Sequence, residues 1–136
     1  MLDPSLPLQT ALFAALTAPG VLPAVVGGRV YDEAPQNAAT PYVSIGDCQV
    51  LPDKAECVDG YICHPIVDIW STYKGFAEAK TIAASILAKL DEQPENLTVA
   101  GFNVVVLEIE NYMPLRDPDG VTRRVSLTFR ALVNAS

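Results

Sequence analysis

The chain has 136 residues, half of them hydrophobic and 18% charged; a chain of this size can bury roughly two thirds of its unfolded surface, and the composition is not that of a disordered segment. Nine Lys and Arg against sixteen Asp and Glu give a formal charge of -7, so the basic footprint of a nucleic-acid binder is missing. An odd number of cysteines, three, argues against a secreted disulfide framework and for a reducing compartment.

Residues 4 to 28 carry no charge. Pro4, Pro7, Pro19, Gly20, Pro23 and Gly27 break that window, so no run of about 18 apolar residues survives and no membrane span is expected. The opening Met1-Leu2-Asp3-Pro4 lacks the basic region of a signal peptide, and the triplets Asn96-Leu97-Thr98 and Asn134-Ala135-Ser136 then carry no weight as glycosylation sites. Asp3 or Ser5 caps a first helix with Pro4 and Pro7 in or near its first turn, where a missing N–H is harmless. Leu8, Leu12 and Leu16, with Ala11 and Ala15, form its apolar stripe, and Pro19-Gly20 stops it. A short apolar segment from Val21 to Val26, a brief strand at Arg29-Val30-Tyr31 and a loop from Pro35 to Pro41 follow.

From Tyr42 the apolar period changes from helical to alternating, with Val43 and Ile45 on one side of a strand ending near Asp47. Pro52, Asp53, Lys54, Glu56, Asp59 and Gly60 make 47 to 60 read as a long solvated loop. Tyr61 to Tyr73 is a strand rich in β-formers; Pro65 cannot donate to a ladder, which puts the first half of that strand at an edge or a bulge. Gly75 to Leu90 is the clearest helix, with Phe76, Ala79, Ile82, Ala83, Ile86 and Leu90 on one face. Two long strands, Leu97 to Tyr112 and Val121 to Val133, are joined by Met113 to Gly120. Val125, Leu127, Phe129, Ala131 and Val133 face inward on the last of them, opposite Val105, Leu107 and Ile109, while Glu108 and Glu110 share the polar face with Arg124 and Arg130. The expected fold class is α+β, one domain over 1–136: a four- to five-stranded, mainly antiparallel sheet with two helices packed on one face.

Catalytic vocabulary is thin. Any Ser/His or Cys/His mechanism must run through His64, whose strand neighbour Cys63 points to the opposite face; a surface or interface histidine is the plainer reading. Cys48, Cys57, Cys63 and His64 supply four candidate zinc ligands, but without the C-x2-4-C spacing that gives structural zinc its geometry, so small buried or loop thiols are expected. Asp117-Pro118-Asp119-Gly120 lacks the further oxygen ligands of a calcium loop and reads as a hairpin turn. Gly27-Gly28 has neither the glycine spacing nor the lysine of a phosphate cradle. The acidic pairs Asp32-Glu33 and Asp91-Glu92 are expected to be solvated. Trp70 and Tyr73 are candidates for a ligand wall, against ordinary packing as strand aromatics. The residues themselves thus give no catalytic, cofactor or metal site.

The order of segments is more informative. A leading helix, then Arg29-Val30-Tyr31-Asp32-Glu33-Ala34-Pro35, then Thr40-Pro41-Tyr42-Val43-Ser44-Ile45-Gly46, resembles the opening of the small phage tail completion or tail terminator proteins, including those of gene transfer agents. The likeness continues through Val67-Asp68-Ile69-Trp70-Ser71, Gly75-Phe76-Ala77-Glu78-Ala79, the Asp117 to Gly120 turn and Leu127-Thr128-Phe129-Arg130-Ala131, covering about residues 8 to 133. It implies a structural virion protein without catalytic residues or cofactors, forming a ring, usually a hexamer, that caps the tail tube and joins it to the head-side connector. The implied partners are further copies of the chain, the major tail tube protein and a stopper or connector protein. DNA passes through such a ring without specific binding, no membrane is involved, and assembly takes place in the bacterial cytoplasm. The three cysteines and the length of the 47 to 60 segment depart from the family pattern. Pro65 at an edge and the loops 47 to 60 and 112 to 120 are the expected surfaces for neighbours. The alternatives are another ring protein of the same connector, such as a stopper, and a small ligand-binding or hydrolase-like subunit using the face around His64, Asp68 and Trp70.

Overall fold

The computed structural model describes residues 1–53 and 59–136. Helix α1 (Ser5–Thr17) has Pro4 as its N-cap, with no side-chain cap of the kind expected from Asp3 or Ser5; the Asp3 carboxylate ahead of it accepts the Ser5 N–H at 2.9 Å. Leu8, Ala11, Leu12, Ala15 and Leu16 are buried along it. A 3-10 turn (Ala24–Val26) buries Val26 and leads to the two-residue strand β1 (Val30–Tyr31). Strands β2 (Tyr42–Asp53) and β3 (Gly60–Ser71) form a long hairpin, helix α2 (Ala77–Leu90) follows, and β4 (Phe102–Arg116) and β5 (Arg123–Ala135) form a second hairpin.

These strands make one five-stranded sheet in the order β1-β2-β3-β5-β4, antiparallel throughout except for β1 beside β2. The two helices cover one face: α1 packs over β1 and β2, and α2 over β3, β5 and β4. Alternation sets which side chains meet them. Tyr61, Cys63, Val67 and Ile69 from β3 and Val125, Leu127, Phe129, Ala131 and Val133 from β5 join Ile82, Ile86 and Leu90 of α2 in a continuous core. The α+β class and the helices on one face are as the sequence predicts.

Five further expectations are corrected. The segment 47 to 60 is not a loop from its start: β2 runs to Asp53, in register with β3 through Pro52 opposite Tyr61 and Asp53 opposite Gly60. Pro52 and Asp53 stand where β2 has no second neighbour, because β1 pairs only with Val43 and Ser44, so a residue poor at sheet bonding costs nothing there. Pro65 is not at an edge. It is buried in the central strand β3, between β2 and β5; the ladder to β5 is interrupted between Cys63 and Ile66, and β2 carries a bulge between Ile45 and Cys48 directly beside it. The bulge half of the expectation holds, displaced onto the neighbouring strand.

Val105 does not face inward: it is 51% exposed, because β4 slips register between Val104 and Val106 and again between Ile109 and Asn111. Each slip inserts one residue and resets the alternation, so Leu107 is buried and Ile109 packs against the core rim. The first of the long closing strands also starts later than expected, at Phe102; Leu97 and Val99 are buried in the connection ahead of it. Finally, Asp91 is not simply solvated. Its carboxylate accepts the Ile109 N–H at 2.9 Å, while Glu92 donates its N–H to the Leu107 carbonyl, so this pair ties the end of α2 to the edge strand. Asp32 and Glu33 are exposed as expected.

Candidate functional site

The candidate catalytic and metal residues are separated by the pleat. Cys63 is fully buried on the helix-covered face, and His64, the next residue, lies on the open face with its Nδ1 2.7 Å from Oε2 of Glu110. Glu110 sits at the second bulge of β4, which brings it to His64 rather than to the expected arginine. Glu108 does meet Arg130, directly opposite it in the ladder, at 3.4 Å. Among the described residues no hydroxyl or thiol is bonded to the His64 imidazole, so it has no nucleophile to activate.

Cys48 and Cys63 are free thiols that hydrogen-bond to one another on the covered face; that hydrogen bond and burial push the Cys63 thiol up. A thiol held in this way is a weak ligand and a weak nucleophile, and the imidazole on the opposite face cannot join the pair at a metal. Cys57 lies outside the described residues. Among the described residues no group of three His, Cys, Asp or Glu is placed to hold a metal ion, and no helix is long and apolar enough to cross a membrane.

The remaining sequence candidates are occupied locally. In the turn after β4, the Asp119 carboxylate accepts the N–H groups of Val121 and Thr122 at 2.8 Å and the Thr122 hydroxyl at 2.6 Å, which makes it a turn staple as expected. Trp70 stacks with Tyr42 at 6.0 Å and donates its indole N–H to Ser44. Tyr73, 63% exposed, lines a groove of about 250 Å³ with Pro23, Val25, Ala77 and Thr81; the two aromatics do not form one wall. Asp68 lies on the open face between Ser44 and Ser126 in the ladder, with Oδ1 buried and unbonded. A second cleft, also about 250 Å³, is lined by Ser5, Gln9, Asp32, Asp47, Cys48 and Pro65 and holds neither a histidine nor a cation. None of these arrangements assembles a nucleophile, a base and an oxyanion donor.

What the sequence reading missed is the outer side of α1. The helix has no charged residue, and besides its buried stripe it exposes Leu6 (67%) and Phe13 (46%), with Val25 (48%) beyond its end. A helix without charge that exposes large apolar side chains opposite its buried stripe has a second face to cover. Its signal in the sequence is the charge-free window 4 to 28.

No curated protein matches. A chain from the virion of a native gene transfer agent particle is similar at 29% identity, with 99% of this chain and 100% of that chain covered and a TM-score of 0.89. The family described as tail completion protein gp17 matches residues 10–134. With a family match over nearly its whole length and the fold of a virion component, the chain belongs to the tail completion protein gp17 family and is a phage tail structural protein.

Proposed function

We propose that the chain, acting as one domain over 1–136, assembles into a ring, a hexamer by the family resemblance, that terminates the tail tube and joins the tail to the head-side connector. The observation that carries this reading is the charge-free outer side of α1. Leu6 and Phe13, seven residues apart on one side of α1, are exposed large apolar side chains, and apolar side chains on one exposed face are what an assembly covers. The full-length likeness to a chain of a gene transfer agent virion supports the same reading. No catalytic, cofactor or metal residue takes part, and assembly precedes release from the bacterial cytoplasm. Six copies at -7 each would carry about -42 of formal charge, a field that disfavours tight binding of the DNA passing through. Deleting the gene tests the role: the expected products are filled heads and separate tails that join when the purified protein is added. Infectious particles made in its absence would refute it.

A further inference from the structure

The net charge conceals a strong polarity. The rows of the sheet that hold Tyr42, Trp70, Arg124 and Leu115, and next to them Ser71, Arg123 and Arg116, define one end of the molecule. Arg29 is fixed there by donating to the carbonyls of Pro41 and Val25. Lys74 follows β3 in the connection to α2, and Lys80 and Arg116 both lie over the Phe76 ring at the start of α2, 5.6 and 5.2 Å from its centroid. This end therefore gathers six of the nine cations against three carboxylates, Glu78, Asp117 and Asp119. The rest of the chain has three cations against thirteen carboxylates. An excess of three positive charges at one end is thus set against an excess of ten negative charges elsewhere.

None of the six cations has a carboxylate within salt-bridge distance among the described residues; the ion pairs described, His64 with Glu110 and Arg130 with Glu108, lie further down the sheet. Aromatic faces hold Arg116, Arg124 and Lys80 instead, while Arg29 and Arg123 donate to backbone carbonyls. Arg124 lies 5.0 Å over Trp70, which stacks on Tyr42, and Tyr42 meets Tyr31 edge-on at 5.7 Å. Four of the five arginines, the single tryptophan and three of the five tyrosines are concentrated here. Guanidinium groups laid on aromatic rings are pre-ordered and free to accept carboxylates from outside, and Trp, Tyr and Arg are the residues that dominate the energy of protein–protein contacts.

We infer that this arginine and aromatic end docks onto the opposite, acidic end of a second copy of the chain, where α2 closes into Asp91, Glu92 and Glu95, head to tail around the ring. The inference rests on the ring reading above. Charge complementarity within one sequence favours a like partner, since a heterologous ring contact needs two different patches on each copy. A duplex would meet three unbalanced cations per chain on a molecule that is otherwise acidic, which is poor footing for phosphate binding. At physiological salt, charges beyond about 8 Å are screened, so the local excess decides the contact even though both copies are acidic overall.

The test is the assembly state of purified full-length protein, by mass measurement across a salt series. The variants are R123E/R124E, K74E/K80E and the control K89E, with thermal unfolding to check the fold. K74E/K80E changes two exposed lysines that accept no carboxylate, so it keeps the test informative if the arginine pair disturbs the turn. The expected result is a wild-type and K89E oligomer that weakens as salt rises, while both double reversals raise the half-assembly concentration roughly tenfold or more. Double variants that assemble like wild type overturn the inference and leave the ring reading standing. A wild-type protein that stays monomeric at every salt, with and without tail tube protein, overturns both. Variants that assemble normally but lose binding to a duplex DNA fragment that wild type binds would assign this end to nucleic acid and also overturn the inference.

Discussion

Nδ1 of His64 and Oε2 of Glu110 lie 2.7 Å apart across the open face of the sheet, joined by a bulge in β4 that lifts Glu110 out of the regular ladder. The only histidine of the chain is therefore engaged with a carboxylate and not with a nucleophile. His64→Ala should leave the fold and tail joining intact and lower stability by less than about 1 kcal/mol, as for other partly exposed ion pairs. Urea unfolding and a tail-joining assay check this; loss of joining with the fold intact would revive the hydrolase-like alternative.

Among the described residues Ser71 is the one fully buried polar side chain. Its hydroxyl donates to Glu78 at 2.8 Å and accepts the Tyr73 N–H at 3.1 Å, which fastens the end of β3 to the first turn of α2. Ser71→Ala leaves both partners short of a bond in a site with little water, so a loss of about 1–3 kcal/mol is expected by denaturant unfolding. A change near zero would mean the connection is held by packing alone.

Phe129 is the largest fully buried side chain and lies where β5 passes under α2. Its truncation to Ala should cost about 3–5 kcal/mol, enough to remove most of the stability of a domain this size. Thermal unfolding of the purified variant, or its failure to accumulate as soluble protein, is the readout.

Legibility followed from how many neighbours each segment has. Strand β5 and helix α2 are covered by the core along their whole length, so their apolar periods are unbroken and the sequence shows them. Where a strand lacks a neighbour the pattern fades: Gln49, Leu51, Pro52 and Asp53 continue β2 without a second strand beside them, and their polarity reads as loop. Bulges are invisible in a single sequence, and they decided Val105 and Glu110. Pro65 misled because its missing donor is absorbed by an interrupted ladder and a bulged neighbour, neither of which leaves a local signature. For the candidate site, the separation of Cys63 from His64 followed from strand alternation, whereas the basic end did not: its cations come from five separate segments that only the topology brings together.

The Asp119 carboxyl is held below its ordinary value, first by the Thr122 hydroxyl and then by the backbone N–H groups of Thr122 and Val121. Because the folded pKa is the lower one, this contribution is complete above the ordinary carboxylate pKa of 3.8 and is lost as pH falls through the folded value. Asp119→Asn should therefore weaken the turn at pH 7 and show a smaller loss of stability between pH 5 and pH 2 than wild type. Parallel slopes for the two proteins in that window would contradict the staple.

Leu6 and Phe13 face outward from α1, and exposed positions of this kind contribute little to monomer stability. Leu6→Gln with Phe13→Gln should change the unfolding free energy by no more than about 0.5 kcal/mol while impairing assembly with further copies or with tail tubes. A large loss of stability with normal assembly would show that the outer side of α1 serves the monomer.

The ring itself is tested most directly by measuring the mass of the purified protein alone and mixed with the tail tube protein of the same particle. The account predicts a closed oligomer, six copies by the family resemblance, that binds the end of a tube in one stoichiometric layer and stops its growth. A stable monomer that ignores tubes at every concentration would contradict it.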